Sequence, residues 1–366
     1  MFPKLKYSKE EILAYLEKVT PDQAAASLAA ERCDFFDLLN LLSPAAKTLL
    51  PEMRRASERC RLRFYGRTVS IYAPLYISNA CVNSCRYCDF NIQHKYERKV
   101  LTLDEIRQEG EAIRALGLDS LLVVAGEHPK LMSVEFLCEV GRMLKKMFSY
   151  LSLEVAPQEE DGYRKLYEAG FEGLTLFQET YDQELYKYLH PAGPKSNYEF
   201  RVWSQLRAGR GGMRTLGMAF LLGLTDWRPE AASLGAHAFY LMRECYRSRI
   251  QFAFPRITPV EQGFQPDAPV SDEDLEQMML AFRIVFPECG MTVSTREAPE
   301  FRDRIVRIAA DNMSAGSRVT PGGYAVLADK DVGQFTLNDS RSVDEVAAAI
   351  RAGGMEVVRK YWDKEI

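Results

Sequence analysis

Cys81, Cys85 and Cys88 stand within eight residues, Cys81-Val-Asn-Ser-Cys85-Arg-Tyr-Cys88, in a chain whose other five cysteines are isolated: Cys33, Cys60, Cys138, Cys245 and Cys289. Three thiolates so close together can wrap one cuboidal iron–sulfur cluster, whose usual complement is four cysteines. No fourth cysteine lies nearby in sequence, so one iron is left open to an outside ligand, much as a catalytic metal keeps an open position. An open iron points to chemistry rather than to electron transfer alone. Two plainer readings stand beside this one: a zinc site completed by a histidine such as His94, and a chance group of core cysteines, although apolar cysteines would not crowd a polar loop. One metal site with five isolated thiols suits a reducing, cytoplasmic compartment and not a disulfide framework.

The thiols follow directly on a β-rich run at 70–79, the first of eight such runs; the others fall at 120–126, 151–156, 174–178, 215–221, 250–255, 292–294 and 306–313. Between them lie amphipathic stretches at 103–116, 133–148, 159–168, 199–207, 229–246 and 272–285. Strands alternating with helices over about 250 residues predict a (β/α)8 barrel, a TIM barrel of the α/β class, with a doubly wound open sheet as the other arrangement of the same alternation. Residues 1–68 read as a helical extension, 69–320 as the barrel, and 321–366 as a tail packing on it. That tail holds a strand-like QFTL at 334–337, a helix capped by Ser342 and ended by Gly353-Gly354, and a charged end. With 366 residues, 47% hydrophobic and 27% charged, the chain can bury a sizeable core. A net charge of −4 with scattered Lys and Arg gives no footprint for a phosphate backbone, so no nucleic acid partner is expected. The N-terminus lacks the apolar core of a secretory signal, and no stretch approaches the roughly 20 apolar residues that cross a bilayer, so no membrane partner is expected either.

Cys-x-x-x-Cys-x-x-Cys with an aromatic, Tyr87, before the last thiol is the signature of radical S-adenosylmethionine enzymes. Beyond it, LYISNACVNSCRYCDFN, VVAGEHP, SLEVAP, LTLFQETYD, LHPAGPKSNYEFR, GLTDWR, FPRITP, STREAPEFRD, SAGSRVTPGGY and QFTLNDSRSVDEVAAAIRAGG resemble the 2-iminoacetate synthases, the tyrosine lyases of thiamine biosynthesis, over most of the chain. The resemblance implies a [4Fe-4S] cluster on Cys81, Cys85 and Cys88, with S-adenosyl-L-methionine chelating the open iron through its amino and carboxylate groups. It implies a 5'-deoxyadenosyl radical that takes a hydrogen from the amino group of L-tyrosine, and Cα–Cβ cleavage to 2-iminoacetate (dehydroglycine) and p-cresol. The implied partners are reduced flavodoxin or ferredoxin as electron donor and a thiazole synthase subunit that takes over the dehydroglycine. Other readings are a lyase or mutase of the same scaffold acting on another amino acid such as tryptophan, and a non-catalytic iron–sulfur or zinc scaffold. A relative that makes carbon monoxide and cyanide for hydrogenase maturation carries a second cysteine cluster in a C-terminal extension; no cysteine follows Cys289 here, which disfavours that activity.

Active sites of such barrels sit at the C-terminal ends of the strands. Gly126 and Glu127 follow the second strand, where glycine lets backbone approach a ligand and the carboxylate can pair with the cofactor's ammonium; a surface glutamate is the plainer reading. Glu154 lies within the third strand, and an inward carboxylate needs a partner, which the resemblance supplies as the ribose hydroxyls or the methionyl group. Gln178 and Glu179 end the fourth strand and are expected to act alike, while His190 serves either the site or a helix end. For the carboxylate of the amino acid substrate, arginine offers a planar fork. Arg296 after the seventh strand is expected to supply it, with Ser314 as hydroxyl partner and Tyr76 sharing the site by resemblance to related aromatic amino acid lyases. An ion pair with Glu297, a loop turn and a core aromatic are their respective plainer readings, and Arg256 is a further cation at a strand end. Asp89, where relatives often carry glycine, and His128-Pro129 after Gly126-Glu127 depart from the family pattern.

Overall fold

In a computed structural model, which describes residues 7–258, 264–326 and 333–360, the run before the cysteines forms an eleven-residue strand, β1 (Thr68–Ser78). Seven more follow: β2 (Ser120–Ala125), β3 (Tyr150–Glu154), β4 (Gly173–Glu179), β5 (Thr215–Phe220), β6 (Arg249–Ala253), β7 (Gly290–Val293) and β8 (Asn312–Ser314). Each pairs in parallel with the next, and β8 returns to β1 through Ser70 opposite Asn312, so the sheet closes into an eight-stranded barrel. Closure excludes the open doubly wound sheet. Parallel neighbours require a crossover, and in such barrels helices supply it.

Among the described residues four α-helices precede the barrel: α1 (Lys9–Leu16), α2 (Pro21–Ala29), α3 (Phe35–Leu42) and α4 (Leu50–Tyr65). The crossovers and the top loops contribute α5 (Leu103–Ala115), α6 (Val134–Leu144), α7 (Glu160–Glu168), α8 (Gln183–Leu189), α9 (Tyr198–Val202), α10 (Ser204–Arg210), α11 (Trp227–Glu244), α12 (Asp272–Val285) and α13 (Pro299–Ile308), and α14 (Val343–Ala352) lies in the tail. Their starts are local chemistry. Ser8 with Glu11, Thr20 with Gln23, Asp34 with Asp37, Thr102 with Glu105 and Ser342 with Glu345 form reciprocal capping boxes that satisfy otherwise orphaned backbone donors. The early helices act as an outer layer: Leu38, Leu39, Leu41 and Leu42 of α3 are buried, and α12 is buried from Leu275 to Val285 because α3 and α4 cover its outer side. Arg61 of α4 is fully buried and donates to the carbonyls of Ala310 (3.0 Å), Gly66 (2.6 Å) and Thr68 (2.6 Å), tying this layer to the start of β1.

Two expectations are corrected. The run at 306–313 is not a strand over its length: its first three residues, up to Ile308, are the last of α13, and β8 is the short Asn312–Ser314. Pro299 at the helix start and buried Phe301, Arg302, Ile305 and Val306 set a helical period that the β-branched residues mask. QFTL forms no strand either. The tail's strand is β9 (Glu356–Val358), parallel to Thr68–Ser70 of β1, and the charged end beyond residue 360 lies outside the described residues.

Barrel interiors are usually packed with branched side chains. Here Ser70, Ser152, Thr175, Gly217 and Thr292 stand on the wall and leave a cavity of about 430 Å³, which reaches up to Tyr76, Glu154, Arg296 and Ser314.

Candidate active site

The cysteines lie on the loop between β1 and α5, which has no regular structure and is held by its own polar groups. Arg98 donates to the carbonyls of Asn79 (2.9 Å), Phe90 (3.0 Å), Asn91 (2.6 Å) and His94 (3.2 Å), gathering the loop onto one guanidinium. Where the loop leaves β1 it crosses Gly126 so closely that a Cβ there would lie 2.4 Å from the Ala80 carbonyl oxygen. The approach that demands glycine is therefore the chain's own, between the cysteine loop and the end of β2.

Cys81, Cys85 and Cys88 line one cavity of about 110 Å³ at the top of the barrel. Burial pushes the Cys85 thiol up to about 12, and burial and then Cys85 raise that of Cys88, so a metal binding here must displace protons. Among the described residues no three His, Cys, Asp or Glu converge as ligands of a single ion. The His94 ring Nδ1 instead contacts the carbonyl oxygen of Asp89 at 3.1 Å, and His94 is not on the cavity wall. Three thiols around one cavity fit a cuboidal cluster, which takes each cysteine on a different iron. The other cysteines lie elsewhere: Cys138, Cys245 and Cys289 are buried, while Cys33 and Cys60 are half-buried.

Beside the thiols sits a buried set of two acids and two bases. Arg201 donates to Glu127 Oε1 at 2.9 Å and lies 3.6 Å from Glu179, and Lys195 pairs with Glu179 at 2.7 Å. Asn83, two residues after Cys81, donates to Glu127 Oε2 at 2.9 Å and accepts from the Lys195 backbone at 2.9 Å. Burial alone would raise Glu127; the charges of Arg201 and Lys195 and the hydrogen bonds from Arg201 and Asn83 hold it below the usual carboxylate range. Glu127 is thus no surface residue, and both of its oxygens already have protein partners. Asn83, Lys195 and Arg201 were not singled out from sequence, although Lys195 and Arg201 lie in the LHPAGPKSNYEFR stretch. Glu179 has φ 71°, a left-handed conformation rare for a non-glycine residue, at an irregularity in the β4–β5 register. Alternation along β4 sorts the residues expected there. Phe177 and Glu179 face the cavity, whereas Gln178 between them is not on its wall, and its buried Nε2 has no hydrogen-bond partner.

Glu154 and Arg296 line both cavities, where the upper opens into the barrel. Burial, then the charge of Glu179, pushes Glu154 up to about 7 against the pull of Arg296. Arg296 does not pair with Glu297; Arg256 does, and it also meets Asp272 at 2.7 Å, so Arg256 is engaged in structural ion pairs. The Arg296 guanidinium stacks on Phe335, 3.6 Å from the ring centroid. Burial pulls its pKa down while Tyr76 and Glu154 oppose. Tyr76, kept neutral by burial and by Glu154, donates to Gln334 Oε1 at 2.5 Å. Ser314 is buried on the cavity wall and its Oγ accepts from the Thr295 backbone at 3.2 Å. Tyr87 lies between two cluster cysteines and its hydroxyl meets His190 Nε2 at 2.8 Å. The other ring nitrogen, Nδ1, lies 2.7 Å from the Tyr186 carbonyl oxygen, and burial lowers His190 to about 2, so it is a neutral packing partner of Tyr87 and not an acid–base group.

Comparison with known proteins accounts for both halves of this arrangement. The Radical SAM superfamily domain matches residues 75–234, and the Biotin and Thiamin Synthesis associated domain matches 253–356. The 2-iminoacetate synthase of Escherichia coli is 36% identical over 355 residues, 97% of this chain and 94% of that one. That of Salmonella typhimurium is 36% identical over 89% of this chain and 87% of its own. Among solved structures, HydG, a maturase of the [FeFe]-hydrogenase, superposes with a TM-score of 0.91 at 29% identity, covering 98% of this chain and 82% of that one. No helix among the described residues is long and apolar enough to cross a membrane. The chain is a radical S-adenosylmethionine enzyme that works with a [4Fe-4S] cluster, and it belongs to the family of the 2-iminoacetate synthases.

Proposed function

We propose that this enzyme cleaves the Cα–Cβ bond of L-tyrosine, giving 2-iminoacetate and p-cresol with 5'-deoxyadenosine and methionine, to supply thiazole formation in thiamine biosynthesis. The observation that carries the reading is the 36% identity to the 2-iminoacetate synthase of Escherichia coli over 97% of this chain and 94% of that one. Cys81, Cys85 and Cys88 would hold the cluster. Together with S-adenosyl-L-methionine it supplies a reductively formed 5'-deoxyadenosyl radical. The chain's own groups have the tasks of binding and orientation. Asn83, Arg201 and Lys195 lock Glu127 and Glu179 beside the thiols, giving a wall of fixed charges suited to a zwitterionic cofactor. Glu154, with no protein hydrogen bond among the described residues, is free to accept one from a hydroxyl or ammonium group. In the barrel below, Arg296 supplies a fork for the amino acid carboxylate, Ser314 a hydroxyl, and Tyr76 a neutral phenol.

Because dehydroglycine hydrolyses readily, a thiazole synthase subunit is the proposed recipient and reduced flavodoxin or ferredoxin the proposed electron donor. Anaerobic reconstitution with iron, sulfide, S-adenosyl-L-methionine, a reductant and tyrosine tests the reading. Equal amounts of deoxyadenosine and p-cresol are expected. Faster cleavage of tryptophan would move the substrate, and absence of deoxyadenosine from a loaded cluster would leave a scaffold.

A further inference from the structure

Tyr76 on β1 and Arg296 after β7 come from opposite ends of the barrel sequence, yet each touches one of two consecutive residues of the tail. The Tyr76 hydroxyl donates to Gln334 Oε1, and the Arg296 guanidinium carbon lies over the Phe335 ring, 3.6 Å from its centroid. Both tail residues line both cavities. Their segment is fastened to the same loop that carries Arg296. Asn338 and Asp339 donate their backbone N–H groups to the Thr295 carbonyl at 3.0 and 3.2 Å, Asn338 Nδ2 donates to the Arg296 carbonyl at 2.6 Å, and Gln334 N donates to Val319 O at 3.1 Å. The fully buried carboxylate of Asp339 anchors it through Arg302, which also donates to the Ser314 carbonyl, and through Arg341 at 2.7 Å.

The consequence lies in what stays free. A ring against one face of a guanidinium fixes its plane without using its edge, and the Arg296 side chain has no hydrogen bond or ion pair to another described residue. Its fork of N–H donors is left for a ligand. Gln334 likewise spends its carbonyl on Tyr76.

We propose that Gln334 and Phe335 are positioning residues for the amino acid substrate: Phe335 holds the plane of the Arg296 fork, and Gln334 holds the phenol of Tyr76. The claim rests on the reading of Arg296 and Tyr76 as substrate ligands.

The test uses the reconstituted holoenzyme with tyrosine. Phe335→Ala should raise KM for tyrosine about tenfold, within the range for losing a desolvated cation–π contact, and raise the ratio of deoxyadenosine to p-cresol. Phe335→Tyr, which keeps an aromatic face, should restore both. Gln334→Leu should behave like Phe335→Ala in this ratio, and Gln334→Glu, which keeps an acceptor for Tyr76, should be milder. Cluster content and the urea unfolding midpoint should stay close to the wild type in all four, a result that a general folding defect would not give. Unchanged tyrosine KM and product ratio in Phe335→Ala, or equal losses in Phe335→Ala and Phe335→Tyr, would overturn the proposal. If the wild type prefers another amino acid, the substrate reading falls, and the same ratios measured with that amino acid decide the positioning role.

Discussion

At the scale of single residues, the three thiols and the buried acid Glu154 behave differently from their surroundings. Replacing Cys81, Cys85 or Cys88 by Ala should remove the visible absorption of the cluster and all deoxyadenosine formation, whereas Cys138→Ala, within α6 with its thiol on the Lys165 carbonyl, should change neither; a cluster surviving in Cys85→Ala would contradict the site. Glu154 yields a pH prediction in the cluster-free protein. Its folded pKa is raised to about 7, above the ordinary glutamate value, so the folded state holds a proton that the unfolded state has lost. Its contribution to stability is therefore present at low pH and falls as pH rises through about 7, where burial of the charge must be borne. Glu154→Gln should flatten the pH dependence of urea unfolding between about 4.5 and 7 and be more stable than the wild type at pH 8. An unchanged slope would mean that the carboxylate is ionised throughout.

At the scale of elements, the site depends on two joints that irregular segments make with their neighbours. The first is the crossing of the cysteine loop over Gly126. Its contact is with backbone, which cannot swing aside, so Gly126→Ala should cost about 1 to 3 kcal/mol of stability, the range for overpacking, and lower cluster loading. Normal loading with unaltered urea unfolding would show that the joint yields. The second is Asp339 between Arg302 and Arg341. Its removal in Asp339→Ala leaves a fully buried guanidinium on Arg302 without its partner, a loss of about 3 to 5 kcal/mol. It should also make the tail cleavable by protease near residue 339 under native conditions. The helix starts that frame these joints were legible because a capping box is a pattern over four residues. The misreading of 306–313 arose because β8 is only three residues long and owes its strand form to Ser70–Tyr72 and to Thr292–Val293 on its two sides.

At the scale of the whole molecule, the helical layer before the barrel is part of its core. Gln277 of α12 is fully buried and its amide donates to the carbonyls of Leu41 (3.0 Å) and Ser43 (2.8 Å), while Arg54 grips Glu276 with two bonds of 2.6 and 3.0 Å. A chain lacking residues 1–65 should lose the near-UV circular dichroism of packed aromatics, and retention of a native spectrum would mean that the barrel stands alone. The amino acid sequence by itself determined the alternation of strands and helices, the cysteine loop and the strand ends where chemistry must occur, because periodicity, caps and ligand spacing are properties of a few adjacent residues, whereas closure of the sheet was seen only in the structure. It also named Glu127, Glu154, Glu179 and Arg296, which the cavity brings together, and Gln178, which alternation along β4 leaves off the cavity wall. Only the tertiary structure decided which charges meet. Arg201 reaches Glu127 across 74 positions, Tyr76 reaches Gln334 across 258, and Arg256 is taken up by Glu297 across 41. The physical reason is that closing the barrel sets which loops stand side by side at its rim, and a buried charge takes its role from the neighbour that closure provides.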